Sequence, residues 1–236
     1  MKASARPFIF VLAGVNGAGK SSVGGAMLAE HGLTWFNPDT YARELAALLG
    51  LNIDEANGRA WQHGRSQLEA AIANGTNYAF ETTLGASTIP ELLVMASHTH
   101  DVMMLFCGLA SLELHLQRVR SRVGSGGHDI PEHKIRERWV ASRLNLIRLL
   151  PQLARLQVFD NSAQAALGQD IADPVLVLEM VQGRMMFPEP DNTAALEATP
   201  AWARPIVQAA IEHQARALSA IKADDAKPSS ISPAGS

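Results

Sequence analysis

The run "GVNGAGKSS" at residues 14–22 constrains this chain more than any other stretch of it. Three glycines crowd around one lysine, directly after the apolar segment "FIFVLA" and before a stretch with helical spacing. Glycine weakens helices and strands, so its concentration marks a backbone that must turn tightly or come close to a ligand. Gly14-x-x-x-x-Gly19-Lys20-Ser21 is the spacing of a phosphate-binding loop set between a strand and a helix. In such a loop successive N–H groups turn inward as an anion cradle, and the helix start adds its partial positive charge. The reading assigns Gly14, Asn16, Gly17, Ala18, Gly19, Lys20, Ser21 and Ser22 to nucleotide binding. Lys20 then reaches the β- and γ-phosphates of ATP, and Ser21 is the ligand for Mg²⁺.

The rest of the chain supplies the fold that such a loop needs. Short apolar runs alternate with longer patterned segments, the signature of a parallel sheet between helices. Strands are expected at 8–13, 34–36, 77–80, 102–109 and 156–159, with helices near 20–30, 40–49, 55–73, 90–97, 112–123 and 132–150. "PVLVLEMVQGRMMF" reads as a hairpin turning at Gln182-Gly183, which adds an antiparallel edge. The expected fold class is α/β: a kinase-type parallel sheet of about five strands flanked by helices, with a C-terminal hairpin and helix. The expected division is a catalytic domain over 1–190 with a lid near 118–150, a helical extension over 191–223, and a disordered polar tail over 224–236.

Composition narrows the options. A net charge of −3 gives no overall attraction to nucleic acid or anionic membranes, and aromatic residues make up only 6%. The lone Cys107 sits in the apolar run "VMMLFCGL" and reads as a packing residue of a chain kept in a reducing cytoplasm. No segment near the start is long enough for a signal core or a membrane span. Trp35, Tyr41 and Trp61 read as packing residues. Motifs of switch GTPases, transport ATPases and large motor ATPases are missing, which leaves the compact kinase type.

A kinase of this type needs a base, an acceptor site and an arginine-bearing lid. The second strand runs into "FNPDTYARE", which brings Asn37 and Asp39 to the sheet end where ligands bind. Asp39 suits a general base or a water on Mg²⁺, and equally an N-cap for a helix starting at Thr40; the residues leave both open. "YAFETTLG" places Glu81, Thr82 and Thr83 at the same edge, for an acceptor hydroxyl, for the outer shell of the metal, or for a structural turn. Eight of the fifteen arginines lie between Arg118 and Arg155. Arg118 and Arg122 are four apart on one helix face, and Arg136 and Arg138 lie beyond the glycine-rich "GSGGHDIP". Two such helices across a hinge describe a lid that brings guanidinium groups to ATP phosphates.

In this order the segments "GVNGAGKSS", "FNPDTYARE", "YAFETTLG", "LFCGL", "RVRSRVGSGGHDIPEHKIRERW", "VFDNS" and "GRMMFPEP" resemble the zeta toxin family of P-loop kinases over roughly residues 7–190. The resemblance implies phosphorylation of a sugar hydroxyl on a nucleotide sugar, UDP-N-acetylglucosamine, and an antitoxin protein as the partner to look for. It implies Asp39 as general base, Lys20 and Ser21 in the nucleotide loop, Glu81 and Thr83 at the acceptor, and Arg118 or Arg122 as the first lid arginine. Asn37, in the Asp39 segment, is expected at the acceptor as well. Two departures stand out. Where the family places a further phosphate arginine before a proline, this chain has His128 in "GGHDIP", so either Arg136 or Arg138 compensates or the phosphate grip differs. The segment from Asp39 to Glu81 is also long enough to lay an extra helix over the acceptor site. The competing readings are a polynucleotide or tRNA 5′-kinase using the arginine segment as a nucleic-acid track, and a nucleotide-dependent binding module without turnover.

Overall fold

The computed structural model describes residues 6–30, 32–124, 129–163 and 172–225. Residues 226–236 of the expected tail and His128, with most of the glycine hinge, lie outside the described residues; 224 and 225, expected in the tail, are the end of the last helix. One mixed sheet of six strands organises the chain, in the order β2-β1-β3-β4-β5-β6. These are β1 (Phe8–Ala13), β2 (Tyr78–Thr82), β3 (Asp101–Gly108), β4 (Arg155–Asp160), β5 (Val175–Val181) and β6 (Arg184–Phe187). The first four in that order run parallel, and β5 and β6 are antiparallel to their neighbours. The fold is therefore of the α/β P-loop kinase type, as the alternation of segments predicts.

The central strands read as continuous apolar runs because they are covered on both faces. On β1, Ile9, Val11 and Ala13 join one core cluster while Leu12 joins the other. On β3, Val102, Met104 and Phe106 face the first cluster, whereas Leu105 and Cys107 face the second. This strict alternation is the period-2 pleat expressed in packing. Burial pushes the Cys107 thiol up to about 12, which makes it inert at neutral pH.

The helices that concern the site are α1 (Lys20–Glu30), α2 (Pro38–Leu49), α3 (Ile53–Asn74), α4 (Thr88–Ser97), α5 (Leu112–Gly124) and α6 (Glu132–Leu149). A short α7 (Thr193–Glu197) and α8 (Arg204–Asp225) close the chain. Helix α8 supplies Ile206, Val207 and Ala210 to the main core, and Trp202 just before it stacks near Phe106 and fills the space over Gly108. Ser111 caps α5 by accepting the Leu114 N–H, as expected. Gln182 and Gly183 take positive φ (49° and 74°) and turn the β5–β6 hairpin.

One expected strand is corrected. Residues 34–36 form no strand of the sheet; Phe36 makes a single parallel bridge to Phe80. Three residues next to Pro38 are too few for a ladder, because proline ends the extended run and starts α2. The bridge is still enough to bring the α2 start to the sheet end. Parallel register then puts Ala13, Thr82, Phe106 and Val158 level with one another, with Asp160 two residues further on, and the loop after β1 opens at that edge.

Candidate active site

The loop from Gly14 to Gly19 departs from β1 with three glycines at positive φ: Gly14 at 138°, Gly17 at 82° and Gly19 at 82°. A Cβ on Gly14 would lie 2.2 Å from the Cys107 carbonyl oxygen, and one on Gly19 would lie 2.3 Å from Asn161 Nδ2. Backbone conformation and close approach thus both require glycine there. Among the described residues, the amides of Gly17, Gly19, Lys20 and Ser21 have no backbone acceptor. Main-chain donors left open at the start of α1 are the chemistry that a polyphosphate satisfies. Ala18 is buried under the loop, and its carbonyl oxygen accepts from Asn161 Nδ2 at 2.9 Å.

Lys20 is buried and its Nζ lies 3.4 Å from Glu81 Oε1. Glu81 Oε2 accepts from Ser21 Oγ at 2.8 Å and from Asn37 Nδ2 at 2.9 Å. Lys20, Ser21, Asn37 and Glu81 therefore form one knot where β2, α1 and the α2 start meet. The carboxylate of Glu81 is next to the Ser21 hydroxyl rather than out in the acceptor region alone, a position that also suits the outer shell of a cation. Among the described residues no three His, Cys, Asp or Glu side chains cluster to hold a metal, so a divalent cation here would be held largely by phosphate oxygens and water.

Asn37 removes one of the alternatives for Asp39, the helix cap. The Asn37 side chain accepts the Thr40 N–H at 3.0 Å and is the N-cap of α2. Asp39, inside the first turn, is left without the capping role.

Two cavities meet at this knot. The larger, about 1250 Å³, runs along the phosphate loop and holds Ser22, Arg118 and Arg122. The inner chamber, about 420 Å³, lies under α3 and α6 and holds Thr83, Gly85, Trp61 and Arg138. Their shared wall is Asn16, Lys20, Phe36, Asp39, Asn57 and Glu81. A third cavity, about 610 Å³ around Arg6, His100 and His213, contains no phosphate-loop residue and opens at the opposite sheet end.

The arginines of the expected lid divide by helix face. Arg118 and Arg122 both line the nucleotide cleft, and Arg118 also donates to the Ala163 carbonyl oxygen at 2.9 Å. Burial lowers the Arg118 guanidinium below its ordinary value, with Asp160 opposing. Arg138 lines the inner chamber and donates to Asn16 Oδ1 at 2.8 Å, so it reaches the loop from the chamber side. Burial likewise lowers Arg138, against the charges of Asp39 and Glu137.

Arg136 is a correction. Residues two apart on a helix face away from each other. Arg136 points outward, pairs with Glu132 at 2.5 Å and lines neither cavity. Arg120 joins the same pair from α5 at 3.2 Å, and Arg155 pairs with Glu179, so part of the arginine excess is structural.

Sequence reading missed three residues that shape the site. His115 is fully buried, and its Nδ1 lies 2.8 Å from the Asn16 carbonyl oxygen, latching α5 to the loop. Burial lowers its pKa to about 4, so it is a neutral donor to that carbonyl at physiological pH. Asn161, at the end of β4, supports the loop through Ala18. Only its place directly after the fourth strand hinted at this. Trp61, read as a packing residue, is 46% exposed at the chamber mouth.

The profile of the AAA domain family AAA_33 matches residues 9–142, from β1 through most of α6. The chain belongs to this AAA domain family. No curated protein sequence matches it. Among solved structures, the AvrRxo1-ORF1:-ORF2 complex with ATP resembles it with a TM-score of 0.59 at 19% identity, over 84% of this chain and 65% of that one. The native AvrRxo1-ORF1:-ORF2 complex gives 0.57 at 16%, over 91% and 76%. The PezAT chromosomal toxin–antitoxin system of Streptococcus pneumoniae gives 0.49 at 18%, over 73% of each chain. The AAA domain chain thus spans less than two thirds of the matched chain in the ATP complex, and at these identities the likeness is one of fold. Among the described residues no helix is long and apolar enough to cross a membrane.

Proposed function

We propose that this AAA domain protein is an ATP-dependent kinase of zeta toxin type that phosphorylates a hydroxyl of a nucleotide sugar, with UDP-N-acetylglucosamine as the leading acceptor. The observation that carries the reading is Asp39, which stands in the walls of both cavities while Asn37 does the capping. A carboxylate between a phosphate cradle and a second chamber can accept the proton of a hydroxyl entering from that chamber. As that proton passes to Asp39, the acceptor oxygen bonds to the γ-phosphorus, the bond to the β–γ bridging oxygen breaks, and ADP leaves.

The other groups have matching tasks. Open amides of the loop and Lys20 bind the phosphates, and Arg118 and Arg122 stabilise charge from the α5 side. Thr83 and Arg138 orient the acceptor. Ser21, with Glu81 behind it, would hold Mg²⁺, whose charge neutralises the phosphate oxygens when bound. We assign the catalytic unit to residues 1–190 and treat 191–223 as its C-terminal buttress. An antitoxin-like protein is the partner this reading calls for, and the cytoplasm is where ATP and nucleotide sugars coexist.

The test is incubation with γ-labelled ATP and a panel of nucleotide sugars, nucleosides and oligonucleotides, following which compound gains a phosphate. Label on a nucleotide sugar is the expected result. Label on an oligonucleotide 5′ end would replace the reading with a polynucleotide kinase, and ATP binding without transfer to any compound would leave a binding module.

A further inference from the structure

The inner chamber changes character along its length. Where it meets the nucleotide cleft it presents Asp39, Glu81 and Lys20, with Thr83 beside them. At its mouth it presents Trp61 and Arg65 from α3 and Lys134 from α6. Trp61 is 46% exposed, and Arg65 is also exposed, held by Glu69 at 2.8 Å with its guanidinium carbon 5.8 Å from the indole centroid. Lys134 has no ion-pair partner among the described residues. The anion on this rim is Glu137.

Exposed apolar side chains are common, and Leu48 is left far more open than Trp61. Trp61 differs in its company. A flat indole, flanked by cations, stands across a chamber from a carboxylate suited to take a hydroxyl proton. A ligand matching those groups carries a hydroxyl at one end and, at the other, a planar ring with anionic groups close beside it. Tryptophan stacks on any flat π-face, and the fixed Arg65 beside it meets phosphate oxygens with a planar fork.

We propose that Trp61 is the platform on which the base of a nucleotide-linked acceptor stacks, with Arg65 and Lys134 meeting its phosphates. Helix α3 is then the element that selects acceptors by their base. This rests on the reading of Asp39 as the group that activates the acceptor hydroxyl.

The experiment compares wild type, Trp61→Ala and Trp61→Phe with UDP-N-acetylglucosamine at saturating ATP, and with UDP as inhibitor against that acceptor. Binding of ADP to each variant checks that the fold is intact. Loss of a stacked base should raise the acceptor KM and the UDP inhibition constant of Trp61→Ala by roughly 5- to 100-fold, with the phenyl ring restoring most of it. Turnover with both constants unchanged in Trp61→Ala would overturn the platform and leave the kinase reading standing. If no nucleotide sugar is phosphorylated, the kinase reading fails by itself. The platform is then judged by tryptophan fluorescence titrated with UDP: quenching in wild type that Trp61→Phe abolishes supports it, and equal or no quenching overturns it.

Discussion

The nucleotide cleft and the inner chamber share a wall yet are built from different material. At the phosphate loop the cleft is built of main chain: glycines at positive φ, open amides and a helix start. The chamber is mostly side chain, gathered from α2, α3, the β2 end and α6. A site made of backbone needs a fixed spacing of small residues, so it leaves a motif. One made of side chains needs only that distant elements converge, and convergence has no spacing. The difference also separates their tolerance: a backbone cradle fails as a whole, whereas a side-chain chamber can change its ligand one residue at a time.

The sharpest way to break this comparison is at the shared wall. Asp39→Asn keeps size and loses the base, so it should lower kcat by about 10²- to 10⁴-fold while ATP binding stays. Turnover measured beside ATP affinity decides it, because full turnover would make the two cavities independent. Gly19→Ala is the matching blow to the cradle. Its Cβ would press on Asn161 at a φ that L-residues avoid, and ATP affinity rather than acceptor affinity should collapse.

The backbone cradle is held from α5, and pH tests that hold. Burial lowers His115 to about 4 from an ordinary 6.5. Since the folded value lies below the unfolded one, the unfolded chain takes up the proton first as pH falls. The stability in question is complete above about pH 6.5 and is lost as pH drops toward 4, up to roughly 3 kcal/mol. Denaturant unfolding from pH 7 to pH 4 should show this slope in wild type. In His115→Gln, which still offers a donor to Asn16, the slope should be shallower by that amount.

How much of this was legible follows the same division. The loop, its flanking β1 and α1, the parallel core and the hairpin turn at Gln182-Gly183 all rest on local pattern, and the sequence reading located them. The segment at 34–36 looked like a strand because Trp35 and Phe36 are apolar, but only register with β2 decides pairing, and a single bridge forms. Trp61 looked like packing because an indole on a patterned helix usually is; its 46% exposure is a matter of tertiary packing that local pattern does not carry. His115 carried no signal at all, since its partner is a carbonyl 99 positions away.

Arg138 crosses from the chamber to the loop, and its removal should have a smaller effect on both sides. Arg138→Ala should raise the KM for acceptor and for ATP by roughly tenfold, the scale of one charged hydrogen bond. A cycle with Asn16→Ala sharpens the result: if the link through Asn16 Oδ1 carries the effect, the two losses should not add. Additive losses would mean that Arg138 serves the chamber alone.

The smallest expected effect is the most informative about the lid. Arg136 and Arg138 sit two residues apart in one arginine-rich run, and composition treats them alike. Helical geometry does not, because about 100° per residue turns one toward the chamber and the other toward Glu132. Their pair is solvent-exposed, the class of ion pair that contributes little. Arg136→Ala should therefore leave both KM values and kcat within about twofold of wild type. A loss as large as that of Arg138→Ala would mean that α6 rotates when ligands bind, bringing its outer face into the cleft, and the division of the lid by helix face would have to be redrawn.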